Sequence, residues 1–118
     1  DLQGLFGLLA AGCDKNMVVL TRARGYRKQP EKALQISARK YHKYPNFADA
    51  LLQRTETYNN NLAQIANLEK QGKVFVIAPE SIAIKRLETD PKNLEQIHIQ
   101  GYEQLKAILP RLLAYLKA

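Results

Sequence analysis

The 118 residues contain no Asp-Gly pair, no Gly-x-Ser-x-Gly and no glycine-rich phosphate loop. A serine hydrolase of the α/β type sets its nucleophile on a tight strand-to-helix turn that needs those flanking glycines. The only serines, Ser37 and Ser81, lack them. Without G-x-G-x-x-G or a Gly-rich lysine loop, nothing supports a cradle for nucleotide phosphates. The single cysteine, Cys13, cannot form an internal disulfide and reads as a small core side chain in a reducing cytosol. His42 and His98 together with Cys13 make no metal-ligand spacing, so neither a metal nor a cofactor is expected. Carboxylates are scattered, and Asp90 beside Pro91 is better explained as a helix cap. No apolar run approaches the ~20 residues of a membrane span. A self-contained active site is therefore not expected.

What is present is an ordinary soluble composition, 46% hydrophobic and 25% charged, with enough length for one domain over residues 1–118. The chain opens on Asp1 and its only methionine is Met17, which suggests a piece of a longer product. The net charge of +7 is unevenly placed: Arg22 to Lys43 carries eight cations against Glu31 alone, and the remainder is balanced. Such an excess suggests an anionic partner, whether phospholipid headgroups, nucleic acid or an acidic surface; a solvated basic helix face is the plainer alternative.

Periodicity orders the elements. Leu2, Leu5, Phe6, Leu8 and Leu9 recur at helical spacing up to a stop at Gly12. Asn16–Thr21 reads as a buried strand. Pro30 suits the first turn of a helix running to about His42, closed by Pro45. Asn46 is placed as the N-cap of the next helix, whose stripe is Phe47, Leu51, Tyr58, Leu62 and Ile65, ending at Gly72. Lys73–Pro79 is an unbroken apolar run, as in a parallel strand covered on both faces. Glu80–Thr89 reads as irregular, with Ile82, Ile84 and Leu87. Asp90-Pro91 opens a last helical region that Gly101 and Pro110 should break or kink. The order is that of an α/β protein, with the two strands neighbouring and parallel. Two strands are too few for a complete doubly wound sheet. The expected fold class is therefore a fragment of a three-layer α/β/α fold, with two parallel strands covered by amphipathic helices.

In open α/β sheets ligands sit beyond the carboxyl ends of strands. The loop Thr21-Arg22-Ala23-Arg24-Gly25-Tyr26-Arg27-Lys28 follows such an end, which makes Arg22, Arg24, Tyr26 and Arg27 a candidate anion site. Arg22 and Arg24 could fork onto a phosphate, Gly25 would allow the turn, and Tyr26 could cover an apolar chain. The alternative is structural: Arg22 pairs with Glu56 or Glu88, and Tyr26 packs over a helix end. A second cluster, Arg39-Lys40-Tyr41-His42-Lys43-Tyr44-Pro45, interleaves aromatics with cations as single-strand binders do. It equally suits a helix end whose tyrosines seal the core, and that reading is preferred. Asn59-Asn60-Asn61 defies helix propensity and suggests that Tyr58-Asn59 bonds across to a loop, which the sequence does not identify.

Four pieces in order, VVLTRARGYRKQP, YHKYPNFADALLQRTETYN, GKVFVIAPE and RLETDPKNLEQIHIQGYEQ, resemble the C-terminal part of bacterial patatin-like phospholipases. The resemblance runs from about Ala10 to Tyr115. It implies a cytoplasmic or membrane-peripheral lipid acyl hydrolase acting through a serine–aspartate dyad. Both motifs of that dyad would lie upstream of Asp1, so no catalytic residue is carried over and this chain alone should be inactive. Where the family shows Asp-Ser-Ile-Pro, this chain has Asp1-Leu2-Gln3-Gly4. The parent would meet a lipid or ester substrate and an anionic membrane surface, with nucleic acid disfavoured; exposed strand edges would permit a dimer. The alternative is a free-standing basic module that binds nucleic acid or an anionic surface.

Overall fold

The computed structural model describes residues 2–82, 84 and 87–118. Its element order is α1 (Leu2–Ala10), β1 (Asn16–Val19), α2 (Lys32–Lys40), α3 (Pro45–Lys70), β2 (Val74–Ile77) and α4 (Pro91–Lys117). The chain is thus α/β, with four helices and one two-stranded parallel sheet among the described residues. It divides into two compact units, Asp1–Tyr26 with Leu68–Ala118, and Arg27–Asn67.

The first unit holds the sheet. β1 and β2 pair in register Asn16↔Val74 to Val19↔Ile77, and the Leu20 N–H extends the ladder by donating to the Ile77 carbonyl at 2.7 Å. Successive side chains alternate between faces. Asn16, Val18, Val74 and Val76 therefore share one face, and Met17, Val19, Phe75 and Ile77 the other. The first face is the better covered one, with Val74 and Val76 buried; Leu5, Ala78 and, from α4, Leu112 are the unit's other buried apolar residues. Asn16 is buried too, because its amide donates to the Cys13 carbonyl at 2.9 Å and the Lys73 carbonyl at 3.3 Å. Its backbone N–H donates to the Tyr115 hydroxyl at 3.1 Å.

Burial, expected of both strands and on both faces for the second, holds for β2 only in part and fails for much of β1. Met17 and Val19 are 52% and 64% exposed. The reason is which helix lies where: α4 packs on β2, with Tyr115 against Phe75 at 5.5 Å between ring centroids, while α1 packs on β1. The half of the second face that β1 contributes is left bare. Cys13 is likewise exposed and not in the core, because it follows the end of α1, where its N–H caps the Leu8 carbonyl.

In the second unit α2 begins at Lys32, with Glu31 in the capping position, so Pro30 precedes the helix instead of lying in its first turn. Pro45 opens α3 and does not merely close α2, and Asn46 falls inside the helix, not at its cap. Proline suits a first helical position because its missing N–H would be unpaired there. Of the α3 stripe only Ile65 is buried; Leu51, Tyr58 and Leu62 are half-buried and Phe47 is exposed. Gly72 ends the helix with φ of 71°, a left-handed conformation that any side chain would disfavour.

Of the break or kink expected at Gly101 and Pro110, the break does not occur: α4 is continuous through both. Pro110 lacks the N–H for the Lys106 carbonyl, at a propensity cost of about 3 kcal/mol. Burial of Leu112 and the packing of the helix on β2 offset that loss. Its start is as read: the Asp90 side chain accepts from the Lys92 N–H at 2.9 Å. Glu88 adds to the cap by accepting from the Asp90 and Thr89 N–H groups and the Asn93 amide. Those bonds, that of Asp90 foremost, hold the Glu88 carboxyl below its ordinary value. Ile82, Ile84 and Leu87 lie in no helix or strand, as expected; Ala83, Lys85 and Arg86 of that segment lie outside the described residues.

Candidate functional site

The loop after β1 carries three of the four residues assigned to an anion site, Arg22, Arg24 and Tyr26; Arg27 belongs to the second unit. Gly25 turns the loop with φ of 79°, a conformation that glycine adopts without strain. The turn brings Arg22 over the Tyr26 ring at 5.2 Å from the centroid, a cation–π contact.

Arg24 is committed elsewhere. Its two terminal nitrogens fork onto the Glu69 carboxylate, each at 2.8 Å, and one also donates to the Val76 carbonyl at 2.9 Å. The bond from Arg24 holds Glu69 below its ordinary value against a partial loss of hydration that would raise it; the Val76 backbone amide and the charge of Arg111 add to the lowering. Arg24 is raised correspondingly, first by the Glu69 bond. Forked, charge-assisted pairs of this kind are stronger than neutral hydrogen bonds. Arg24 is therefore paired within the protein, although its side chain stays more than half exposed. Pairing of a loop arginine with a carboxylate was anticipated, but for Arg22 with Glu56 or Glu88. The actual partners, Arg24 and Glu69, are 45 residues apart in sequence, and no local pattern signals the match.

The place of this pair gives it meaning. Strand residues direct their backbone polar groups alternately to the two edges. Because Leu20 donates to the Ile77 carbonyl, Ile77 faces β1 and Val76 faces the outer edge of β2. Arg24 takes the Val76 carbonyl at that edge and Gln104 takes the Ala78 carbonyl, so side chains occupy the positions of a neighbouring strand. At the opposite edge the same alternation turns the N–H and C=O of Met17 and Val19 away from β2. Among the described residues no hydrogen bond reaches them. Beside that edge lies an apolar cleft of about 520 Å³, lined by Met17, Val19, Ile77, Ile97, Leu105 and Leu109 among others.

Residues 44–117 match the family model described as a domain of unknown function, DUF6363. The chain belongs to the DUF6363 family. The match takes in α3, β2 and α4, and so includes Glu69, Val76 and Gln104 but neither β1 nor the arginine loop. No curated protein matches the DUF6363 chain, and no solved structure does.

In the second unit a similar device occurs. The Asn59 amide accepts from the Lys28 N–H at 2.8 Å and donates to the Lys28 carbonyl at 3.0 Å. This identifies the loop that the asparagine run was expected to hold. Lys28 also pairs with Glu31 at 3.1 Å. Neither serine meets a base: among the described residues no serine–histidine or serine–carboxylate hydrogen bond occurs, and the Ser81 carbonyl accepts from Gln100 at 3.1 Å. The described residues hold no group of three potential metal ligands.

Proposed function

We propose that this chain is the C-terminal, sheet-extending segment of a patatin-like lipid acyl hydrolase. The observation that supports it is the asymmetry of the sheet. The β2 edge is closed by Arg24, Glu69 and Gln104, whereas the β1 edge keeps unpaired backbone groups beside bare Met17 and Val19. A sheet so built ends at β2 and grows at β1. In this reading an upstream strand of the same polypeptide pairs with β1, and upstream helices cover the apolar cleft, completing a three-layer fold. The ordered resemblance of the four pieces described above carries the choice of family.

The reaction in this reading is carboxylic ester hydrolysis. A serine activated by an aspartate attacks the acyl carbonyl, the alcohol leaves, and water releases the acid from the acyl-serine. Both residues lie upstream, and this chain contributes the sheet terminus and none of the reacting groups. The parent would act in the cytoplasm on a lipid substrate at an anionic membrane surface. No helix among the described residues is long and apolar enough to cross a membrane.

The test compares the 118-residue chain with a polypeptide extended upstream, using a short-chain nitrophenyl ester. The extended form is expected to turn over and the short one not. Turnover by the short chain that is abolished by Ser37→Ala or Ser81→Ala would overturn the reading. So would an upstream reading frame without Gly-x-Ser-x-Gly followed by an Asp-Gly motif.

A further inference from the structure

The corner between α2 and α3 was expected to turn its tyrosines inward to seal the core. It does the reverse. Tyr44 is 66% exposed and Phe47 is 50% exposed. The backbone of the corner is nevertheless tied down: Tyr41 N–H bonds the Ser37 carbonyl, Tyr44 N–H the Tyr41 carbonyl, and Phe47 and Ala48 N–H the Tyr44 carbonyl, all at 2.8–3.1 Å. Tyr41 meets Phe47 edge to face at 5.1 Å between ring centroids. Along α2, Lys32, Ile36 and Lys40 follow at four-residue steps and so share one strip, on which Ile36 is 69% exposed. Arg39 and Lys43 are exposed as well. From Lys32 to Ala48 the sequence contains no carboxylate.

We propose that this corner is a docking surface for an anionic lipid bilayer. Charge complementarity selects the occupant. Lys32, Arg39, Lys40 and Lys43, with no carboxylate among them in sequence, match an anionic headgroup layer, to which each contributes by simple Coulomb attraction. Tyrosine rings favour the headgroup level, where an apolar body and a polar tip are both satisfied, and lysine stems extend toward phosphates while their methylenes lie on apolar surface. Ile36 and Phe47 supply the apolar contact. Single-stranded nucleic acid fits less well. Base stacking needs successive free ring faces, whereas the edge-to-face contact of Tyr41 and Phe47 covers a face of one of these two rings, and Ile36 offers no stacking plane. Since none of the described helices can span a membrane, the contact lies on the surface. The inference is drawn from the second unit and rests on the hydrolase reading only for the presence of an anionic membrane surface, which it deepens by naming the docking face; vesicle binding and ester turnover can fail independently.

The chain has no tryptophan, so Tyr44→Trp places a single fluorescent reporter at the corner. The full 118-residue chain is titrated with vesicles of phosphatidylglycerol and phosphatidylcholine in equal parts, and with phosphatidylcholine alone. The indole emission of the Tyr44→Trp variant is expected to shift to the blue on the anionic vesicles only, and the shift to fade as salt rises. Adding Lys40→Gln and Lys43→Gln, both at exposed positions, should lower the partition coefficient about tenfold or more. Equal binding to neutral vesicles, no blue shift despite binding, or a partition unchanged by Lys40→Gln with Lys43→Gln would each overturn the proposal. A single-stranded oligonucleotide that shifts the reporter when the vesicles do not would overturn it too, and assign the corner to nucleic acid.

Discussion

Arg24, Glu69 and Asn59 do with side chains what a sheet does with backbone. Arg24, held by Glu69, and Asn59 each satisfy polar groups of an extended segment that has no neighbouring strand there. Glu69 also makes the fold sensitive to acid, and the direction follows from its lowered value. A carboxylate whose folded pKa is depressed binds its proton more readily in the unfolded chain. Its contribution is therefore complete above the ordinary glutamate value of 4.5 and is lost as the pH falls through the lower folded value. Arg24 is more than half exposed, and solvent screens the pair to about 1 kcal/mol or less. Glu69→Gln should accordingly lower stability by that order at neutral pH and flatten the loss below pH 4.5; denaturant melts of both forms across that window measure it. Asn59→Ala should cost about 1–2 kcal/mol, since two hydrogen bonds to Lys28 are removed from a half-buried site. A cost near zero would mean that water replaces the amide.

At the scale of elements, the helices and strands lie close to where apolar spacing put them, with boundary shifts at Pro30, Pro45 and the end of β1. The shift at Pro45 has a local reason: proline opens a helix as readily as it closes one. Burial was harder to read. Periodicity marks which residues share a face but not how deeply another element covers it, and along α3 only Ile65 is buried. Ile65→Ala should cost about 2 kcal/mol or more, whereas Leu62→Ala, half-buried, should cost about 1 kcal/mol. Equal losses in thermal or denaturant melts would show the stripe to be covered evenly. The same distinction explains β1. Met-Val-Val-Leu reads as a buried strand, but the cover for Met17 and Val19 is absent among the described elements.

For the whole molecule, the unpaired β1 edge beside exposed apolar side chains is a template for another strand. In the isolated chain that template should show as concentration-dependent self-association in sedimentation velocity. Val19→Lys, at a position whose side chain is already exposed, should suppress it without lowering the melting temperature. A chain that stays monomeric at every concentration would show the edge to be shielded.

The sequence by itself determined the α/β order, the parallel pairing of two short apolar runs, the Asp90 cap and the concentration of positive charge between Arg22 and Lys43. These follow from local rules: hydrophobic period, proline and glycine chemistry, and the count of charges. Only the tertiary structure decided which of the charged and aromatic residues are engaged. It committed Arg24 to Glu69 across 45 positions, joined Asn59 to Lys28 and left Tyr44 and Phe47 facing outward. Partner choice between distant side chains depends on where the backbone brings them, and that depends on the packing of every element in between.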